Sequence, residues 1–426
     1  MLLLFLRERT PFEVLTNMAT SMLLLLIASI IFCCEARVLP SSEEYLEMKR
    51  YLAFINRPGL KTIKNEHGEV FDCVEIFKQP AFDHTLLWNH TIQMEPSFVL
   101  NKEKRDPSYI AMETGFRDGG CPLGTVPLRR FQMEDLLRAG SVSNFIKKQQ
   151  QWGEDNRLSV SAFHEYAVTR MTGGTYYGTS VTLNVWNPRV NTLNKEVFSL
   201  AQLWVTSGPY TDVNTIEVGW QVYPVLYGNS ATRLFIYWTN DGYKTGCYNL
   251  RCSGFVQVDT TYTPEMTLPT SITNGNQVEI KLKVTKDDST GNWWLSYEQG
   301  SSGEVWVGYW PGSLFTHLAK SADRVDWGGE TTGTPGYSYP PMGSGKLPSA
   351  GYKFAAYARN IQYFNDQNAI EDVPSQLTTD ETKKSCYQLE DGGNDVGNFG
   401  RHFYFGGPGG SVCNAIVTDS TRAFDI

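Results

Sequence analysis

Two glutamates in this chain sit where a carboxylate could do more than stay solvated. Glu217 lies within Thr215-Ile216-Glu217-Val218-Gly219-Trp220-Gln221-Val222-Tyr223, whose alternation reads as a strand. Its face also carries Gly219, Gln221 and Tyr223, and the glycine leaves room for another backbone to approach. Glu330 closes Val325-Asp326-Trp327-Gly328-Gly329-Glu330, where two glycines beside a tryptophan predict a constrained bend near a pocket. Two carboxyl groups can run acid and base chemistry unaided when their surroundings split the two pKa values. Asp326 competes with Glu330 for the second place and ranks below it. From pattern alone, a solvated strand carboxylate is the commoner case for each.

Other chemistries have less support. The chain holds no Gly-x-Ser-x-Gly, no His-Glu-x-x-His and no phosphate-binding loop. His164, His317 and His402 are the histidines of the C-terminal part, and none sits in a telling motif. They read as surface or satisfied imidazoles. The six histidines lack metal-ligand spacing and no Cys-x2-Cys occurs, so no metal or cofactor is expected.

The elements that must hold such a pair are strands. From about residue 157 onward, 44 of 270 residues are charged, against 38 of 156 before it. Nine of the eleven tryptophans lie in this second part. Val278, Ile280, Leu282 and Val284 alternate with Glu279, Lys281, Lys283 and Thr285, and Asn274-Gly275 and Asp241-Gly242 mark turns. No long helical period and no fixed repeat appears. The fold class expected is mainly β, a large antiparallel β-sandwich or barrel. Before it, Ser42 as N-cap with Glu43 and Glu44 predicts a helix carrying Tyr45, Met48, Leu52 and Ile55, stopped at Arg57-Pro58-Gly59. A second helical patch spans 131–151.

Whole-chain arithmetic narrows the class. The 426 residues carry 37 Lys and Arg against 45 Asp and Glu, a net charge of −8. At 13% aromatic and 19% charged the chain is no disordered polymer. The acidic balance argues against nucleic acid as a partner. Residues 22–34 are apolar or small, too few for the roughly 20 that span a bilayer. With Cys34-Glu35-Ala36 following, they read as a secretory signal cleaved after Ala36, with Met18 or Met22 as an alternative start. Six cysteines remain: Cys73, Cys121, Cys247, Cys252, Cys386 and Cys413. They allow 15 connectivities, and chain order suggests 73–121, 247–252 and 386–413. Asn89-His90-Thr91 is a glycosylation sequon.

At several of these residues the sequence resembles the neprosin family of plant secreted proteins. Asp72-Cys73-Val74-Glu75-Ile76-Phe77-Lys78-Gln79-Pro80-Ala81-Phe82-Asp83-His84 resembles the family's activation-peptide motif. Cys121-Pro122-Leu123-Gly124-Thr125-Val126-Pro127-Leu128-Arg129-Arg130 resembles the end of that peptide. Glu217-Val218-Gly219-Trp220-Gln221-Val222-Tyr223-Pro224, Gly308-Tyr309-Trp310-Pro311 and Trp327-Gly328-Gly329-Glu330 resemble the catalytic-domain motifs. The usual Glu-Ala-Gly-Trp reads Glu-Val-Gly-Trp here, and the loop 298–304 is enlarged.

The resemblance implies a signal peptide over 1–36, a small α+β pro-segment over 37–155 and a β-sandwich catalytic domain over 156–426. It implies a secreted glutamic peptidase of the apoplast or cell wall, acid-active and cleaving after proline, with Glu217 and Glu330 as the catalytic pair. The local cysteine pairing agrees with it. The expected partners are proline-containing peptides or proteins and the chain's own pro-segment as inhibitor, with no membrane contact after signal removal. The pro-segment would be held in the cleft by carboxylates paired with Lys or Arg, and acid would discharge them. Its boundary is expected in 149–158. Trp220, Tyr237 and Trp238 are loose candidates for walls of a proline pocket. The rival readings are an inactive cell-wall carbohydrate-binding sandwich and a glycoside hydrolase, which also uses two carboxylates.

Overall fold

Among the described residues of a computed structural model, nineteen strands and four α-helices are defined. It describes residues 40–98, 116, 119–148, 163–194, 196–300, 303–334, 336–395 and 399–414. The expected leader, the whole boundary stretch 149–158 and part of the loop 298–304 lie outside the described residues.

The N-terminal segment holds α1 (Ser42–Ile55), β1 (Lys61–Lys64), β2 (Val70–Glu75), β3 (Thr125–Arg129), α2 (Met133–Ala139) and α3 (Val142–Ile146). The cap of α1 falls one residue earlier than expected. Ser41 Oγ accepts the Glu44 amide and Glu44 Oε2 accepts the Ser41 amide, a reciprocal box that Ser42 cannot make. The patch at 131–151 is also not one helix. Gly140, at φ 83°, ends α2 with its amide on Leu136 O, and Ser141 Oγ then caps α3. After α3 the chain is extended at Lys147.

The second part is a two-sheet sandwich. Its strands are β4 (Phe163–Tyr176), β5 (Gly178–Asn184), β6 (Glu196–Ser207), β7 (Asn214–Val222), β8 (Arg233–Thr239), β9 (Cys247–Tyr248) and β10 (Val256–Gln257). Then come β11 (Glu279–Lys286), β12 (Trp293–Glu298), β13 (Val305–Trp310), β14 (Ala322–Gly333), β15 (Ala356–Phe364), β16 (Ile370–Asp372), β17 (Thr378–Glu381), β18 (Gln388–Asp395) and β19 (Gly400–Gly406). One sheet runs β17-β4-β14-β6-β7-β8-β9, the other β10-β13-β12-β11-β5-β15-β19-β18 with β16 beside β15, and the ladders between them are antiparallel. The expected antiparallel sandwich is therefore the fold. A one-residue shift would turn each apolar set outward, so alternation pins the register.

The core lies between the sheets. Ala201, Leu203, Val205, Ile216, Val218, Trp220 and Trp327 meet Val181, Leu183, Ile280, Leu282 and Val284 in one apolar cluster. Two indoles bridge the layers: Trp220 Nε1 donates to Asn184 O at 3.0 Å and Trp327 Nε1 to Thr179 Oγ1 at 2.9 Å. All nine residues of β7 are buried, so its second face is covered too. The three disulfides pair as chain order suggests, 73–121, 247–252 and 386–413.

Candidate active site

The second face of the seven-stranded sheet carries the site. On it, Glu217 of β7 and Glu330 of β14 flank β6. Gly219, Gln202 and Gly328 align in register between them. A Cβ at Gly219 would stand 2.0 Å from Ala201 O, and one at Gly328 2.3 Å from Ala167 O. Gly328 also has φ 150°, which side chains rarely adopt. The two glycines thus leave a low floor on either side of Gln202. The bend expected at Trp327-Gly328-Gly329-Glu330 is absent: β14 stays paired to both neighbours through it. A glycine tolerates the unusual φ without breaking the ladder.

Both carboxylates are fully buried and converge on one cation. Lys148 Nζ donates to Glu217 Oε2 and to Glu330 Oε2, each at 2.8 Å. The two oxygens are thus at most twice that distance apart. Gln202 Nε2 donates to Glu330 Oε2 at 3.0 Å, and His164 Nδ1 meets Glu330 Oε1. Glu217 Oε1 accepts from Tyr243 OH at 2.8 Å and from Thr215 Oγ1 at 3.3 Å. Burial opposes the charge on Lys148, but the two carboxylates outweigh it and hold its pKa above the ordinary value. Burial likewise opposes the charge on Glu330, and Lys148 and His164 outweigh it, so that carboxyl falls below the carboxylate range. The phenols of Tyr166 and Tyr243 are pushed up by burial first and by the glutamates second.

Lys148 comes from the N-terminal segment, which is seated on the sandwich by further contacts. Arg129 joins Arg251 on buried Glu265, and Glu69 accepts from Arg233. The Gln79 side-chain amide exchanges two hydrogen bonds with the backbone of Gln257, completing the free edge of β10. Val74, Ile76, Val126 and Leu128 belong to the sandwich's own apolar cluster. Arg251 also stacks 4.1 Å from the Phe145 ring centroid, under α3 and close in sequence to Lys148.

Sequence reading and geometry differ at several residues. Asp326 lies on the same face but is held between Arg170 and Arg324, each 2.9 Å away, and burial raises its pKa. It does not reach the lysine. Trp220 and Trp238 belong to the core between the sheets, whereas Tyr237 is on the site face, within a second apolar cluster. The flat walls beside the pair are Tyr166, Trp204 and Tyr243, which line a pocket that reaches Asp326. His164 and Lys148 were missed. His164 shares the alternation of Tyr166, Val168 and Arg170, a signal that could have found its face. Nothing in a lysine-glutamine run marks Lys148.

Residues 195–408 match the Neprosin family, and residues 62–170 match the Neprosin activation peptide. The chain belongs to the neprosin family and carries its activation peptide. Among solved structures it is similar to Scytalido-glutamic peptidase bound to a peptide-based transition-state analogue, at 12% identity, 57% of this chain, 98% of that chain and TM-score 0.30. It is similar to SCP-B, a member of the Eqolisin family of peptidases in complex with the tripeptide Ala-Ile-His, at 11%, 57%, 98% and 0.29. The PL-14 alginate lyase of Aplysia kurodai follows at 8%, 43%, 89% and 0.17. Scores this low carry no weight for the chemistry.

Proposed function

We propose that this protein is a secreted glutamic endopeptidase, made as a zymogen, that works in acid and cleaves after proline. The observation that carries the reading is the single lysine of the activation segment bridging two buried glutamates. An ammonium nitrogen and a water oxygen are similar in size, and both bond at about 2.8 Å. When Lys148 leaves, a water can take its place between Glu217 and Glu330. One ionised carboxylate then takes a proton from that water as it attacks the scissile carbonyl, and the protonated partner bonds the developing oxyanion. Gln202 Oε1, buried and without a partner among the described residues, can accept the water's second hydrogen. Two adjacent carboxyls share one proton only in acid, which supports an acid optimum.

Family membership and the activation peptide support a peptidase zymogen of this class. The aromatic pocket of Tyr166, Trp204 and Tyr243 is a suitable seat for a proline ring. The inhibitor is the activation segment itself, and release follows cleavage within 149–158. Secretion to the apoplast or cell wall, with a glycan on Asn89, completes the reading; Asn89 is exposed.

The test uses the full chain held at about pH 3, with a quenched peptide containing one internal proline. We expect processing and cleavage after proline. In Glu217→Gln and Glu330→Gln, activity should fall at least about a hundredfold. Folded wild type that cleaves no peptide between about pH 3 and 7 rules the peptidase out and favours a cell-wall glycan binder.

A further inference from the structure

The two glutamates have different surroundings. Glu217 is met by two neutral hydroxyls, of Tyr243 and Thr215. Glu330 is met by the Gln202 amide and by the imidazole of His164, from the adjacent strand β4. His164 stands opposite Thr332 in the ladder, and Thr332 Oγ1 is 3.4 Å from Nδ1. The Phe198 ring meets the imidazole edge-on at 5.7 Å and the Tyr166 ring stacks at 6.4 Å. The side chain is only 10% exposed. Glu165, the next residue, points elsewhere, to Thr382 and Lys383. Among the described residues, the titratable groups around the imidazole include Glu330 of β14, Tyr166 of its own strand, Lys148 of the activation segment and, across that lysine, Glu217 of β7.

Lys148 leaves with the activation segment, whereas His164 is built into the sheet. Once the lysine is gone, His164 is the basic side chain that still touches the pair among the described residues, and an imidazole carries a positive charge in acid. We propose that His164 is a positioning residue that fixes the division of labour: Glu330 is the general base and Glu217 the general acid. An opposite charge in contact favours the ionised carboxylate, and a carboxyl met only by neutral groups keeps the shared proton.

In the first step the water oxygen bonds to the scissile carbon. Its proton passes to Glu330, and Glu217 gives its proton to the former carbonyl oxygen. In the second step the C–N bond breaks, Glu330 returns its proton to the leaving nitrogen, and Glu217 recovers its own as the carbonyl reforms. The sum is peptide plus water giving acid plus amine.

The inference rests on the glutamate-pair reading. Full-length wild type, His164→Gln and His164→Lys are matured by a trace of immobilised wild-type enzyme, and kcat/KM is measured against pH. In His164→Gln the base loses its cation and its pKa rises, so the acid limb should move up by about one pH unit. His164→Lys, which keeps a charge, should hold the limb near the wild-type position. A purely structural role would lower both variants equally at every pH and overturn the proposal. A second readout does not depend on His164 variants maturing. Glu217→Gln keeps a donor while Glu330→Gln loses the base, so Glu217→Gln should retain at least about tenfold more turnover. The reverse order overturns the assignment while leaving the peptidase intact, whereas an inactive wild type sinks the peptidase reading and the assignment with it.

Discussion

An ammonium 2.8 Å from two fully buried carboxylates can be stable only as a set. Removing one member of a buried charge group leaves its partners unpaired, at about 3–5 kcal/mol. The pH dependence follows from the signs. Glu330 is depressed from 4.5 toward about 2, so its share of the seating is complete above 4.5 and is lost as pH falls through the lower value. Lys148 is raised, so its share is present below its ordinary 10.5 and is lost only above that. On the proposed function, the lock is closed at neutral pH and opens in acid. In Lys148→Gln the cation is gone, and the pH at which the full chain begins to process itself should rise by at least about one unit. An unchanged threshold, followed by mass spectrometry across a pH series, would show that the lysine is not the lock. Little of this residue-scale chemistry was legible in the sequence. The glutamates stood out through Gly219, Gly328 and the strand alternation. Lys148 and His164 did not, because their roles depend on which distant strand or segment lies opposite.

At the scale of elements, the activation segment is held by more than its lysine. Its sheet shares the sandwich's apolar cluster, and Arg129 and Glu69 reach buried partners on the other side. Burial opposes the charge on Glu265, but Arg251 and Arg129 outweigh it and hold its pKa at about 2. Arg129→Ala leaves Glu265 with one guanidinium instead of two. The zymogen should lose about 3 kcal/mol and melt several degrees lower. The matured enzyme, which no longer contains Arg129, should melt as wild type. Equal melting of both zymogens would mean that the segment is seated by apolar contact alone. The strands were the most legible elements. Val278, Ile280, Leu282 and Val284 alternate as the β11 pattern demands, and the last three are fully buried. Helix limits were less so. One serine decides the cap of α1, and one glycine splits the patch after residue 131.

Across the whole molecule, the sandwich core and the site share the same strands. Trp327 and Glu330 lie three residues apart on β14, one in the core and one in the cleft. Trp327→Ala should cost about 4 kcal/mol and lower the melting temperature of the matured enzyme by several degrees. A loss below about 1 kcal/mol would mean that the layers are not packed as described. The disulfide Cys73–Cys121 spans 48 residues of the activation segment. Closing a loop of that length contributes about 4 kcal/mol in the chain-entropy account, all of it to the segment that leaves. The overall class was legible from composition, since many tryptophans, few charges and short alternating runs suit a two-sheet core. The aromatic walls of the pocket were not, because a core tryptophan and a cleft tryptophan look alike in a strand.

The most direct test follows peptide hydrolysis by the full chain from neutral to about pH 3, with Glu217→Gln, Glu330→Gln and Lys148→Gln beside it. The account predicts a wild type silent at neutral pH and active in acid, glutamine variants at the two glutamates that each lose at least about a hundredfold of that activity, and a Lys148→Gln chain that wakes at higher pH. Peptide hydrolysis that survives in both glutamate variants would contradict it, because the buried pair would then have no part in the chemistry.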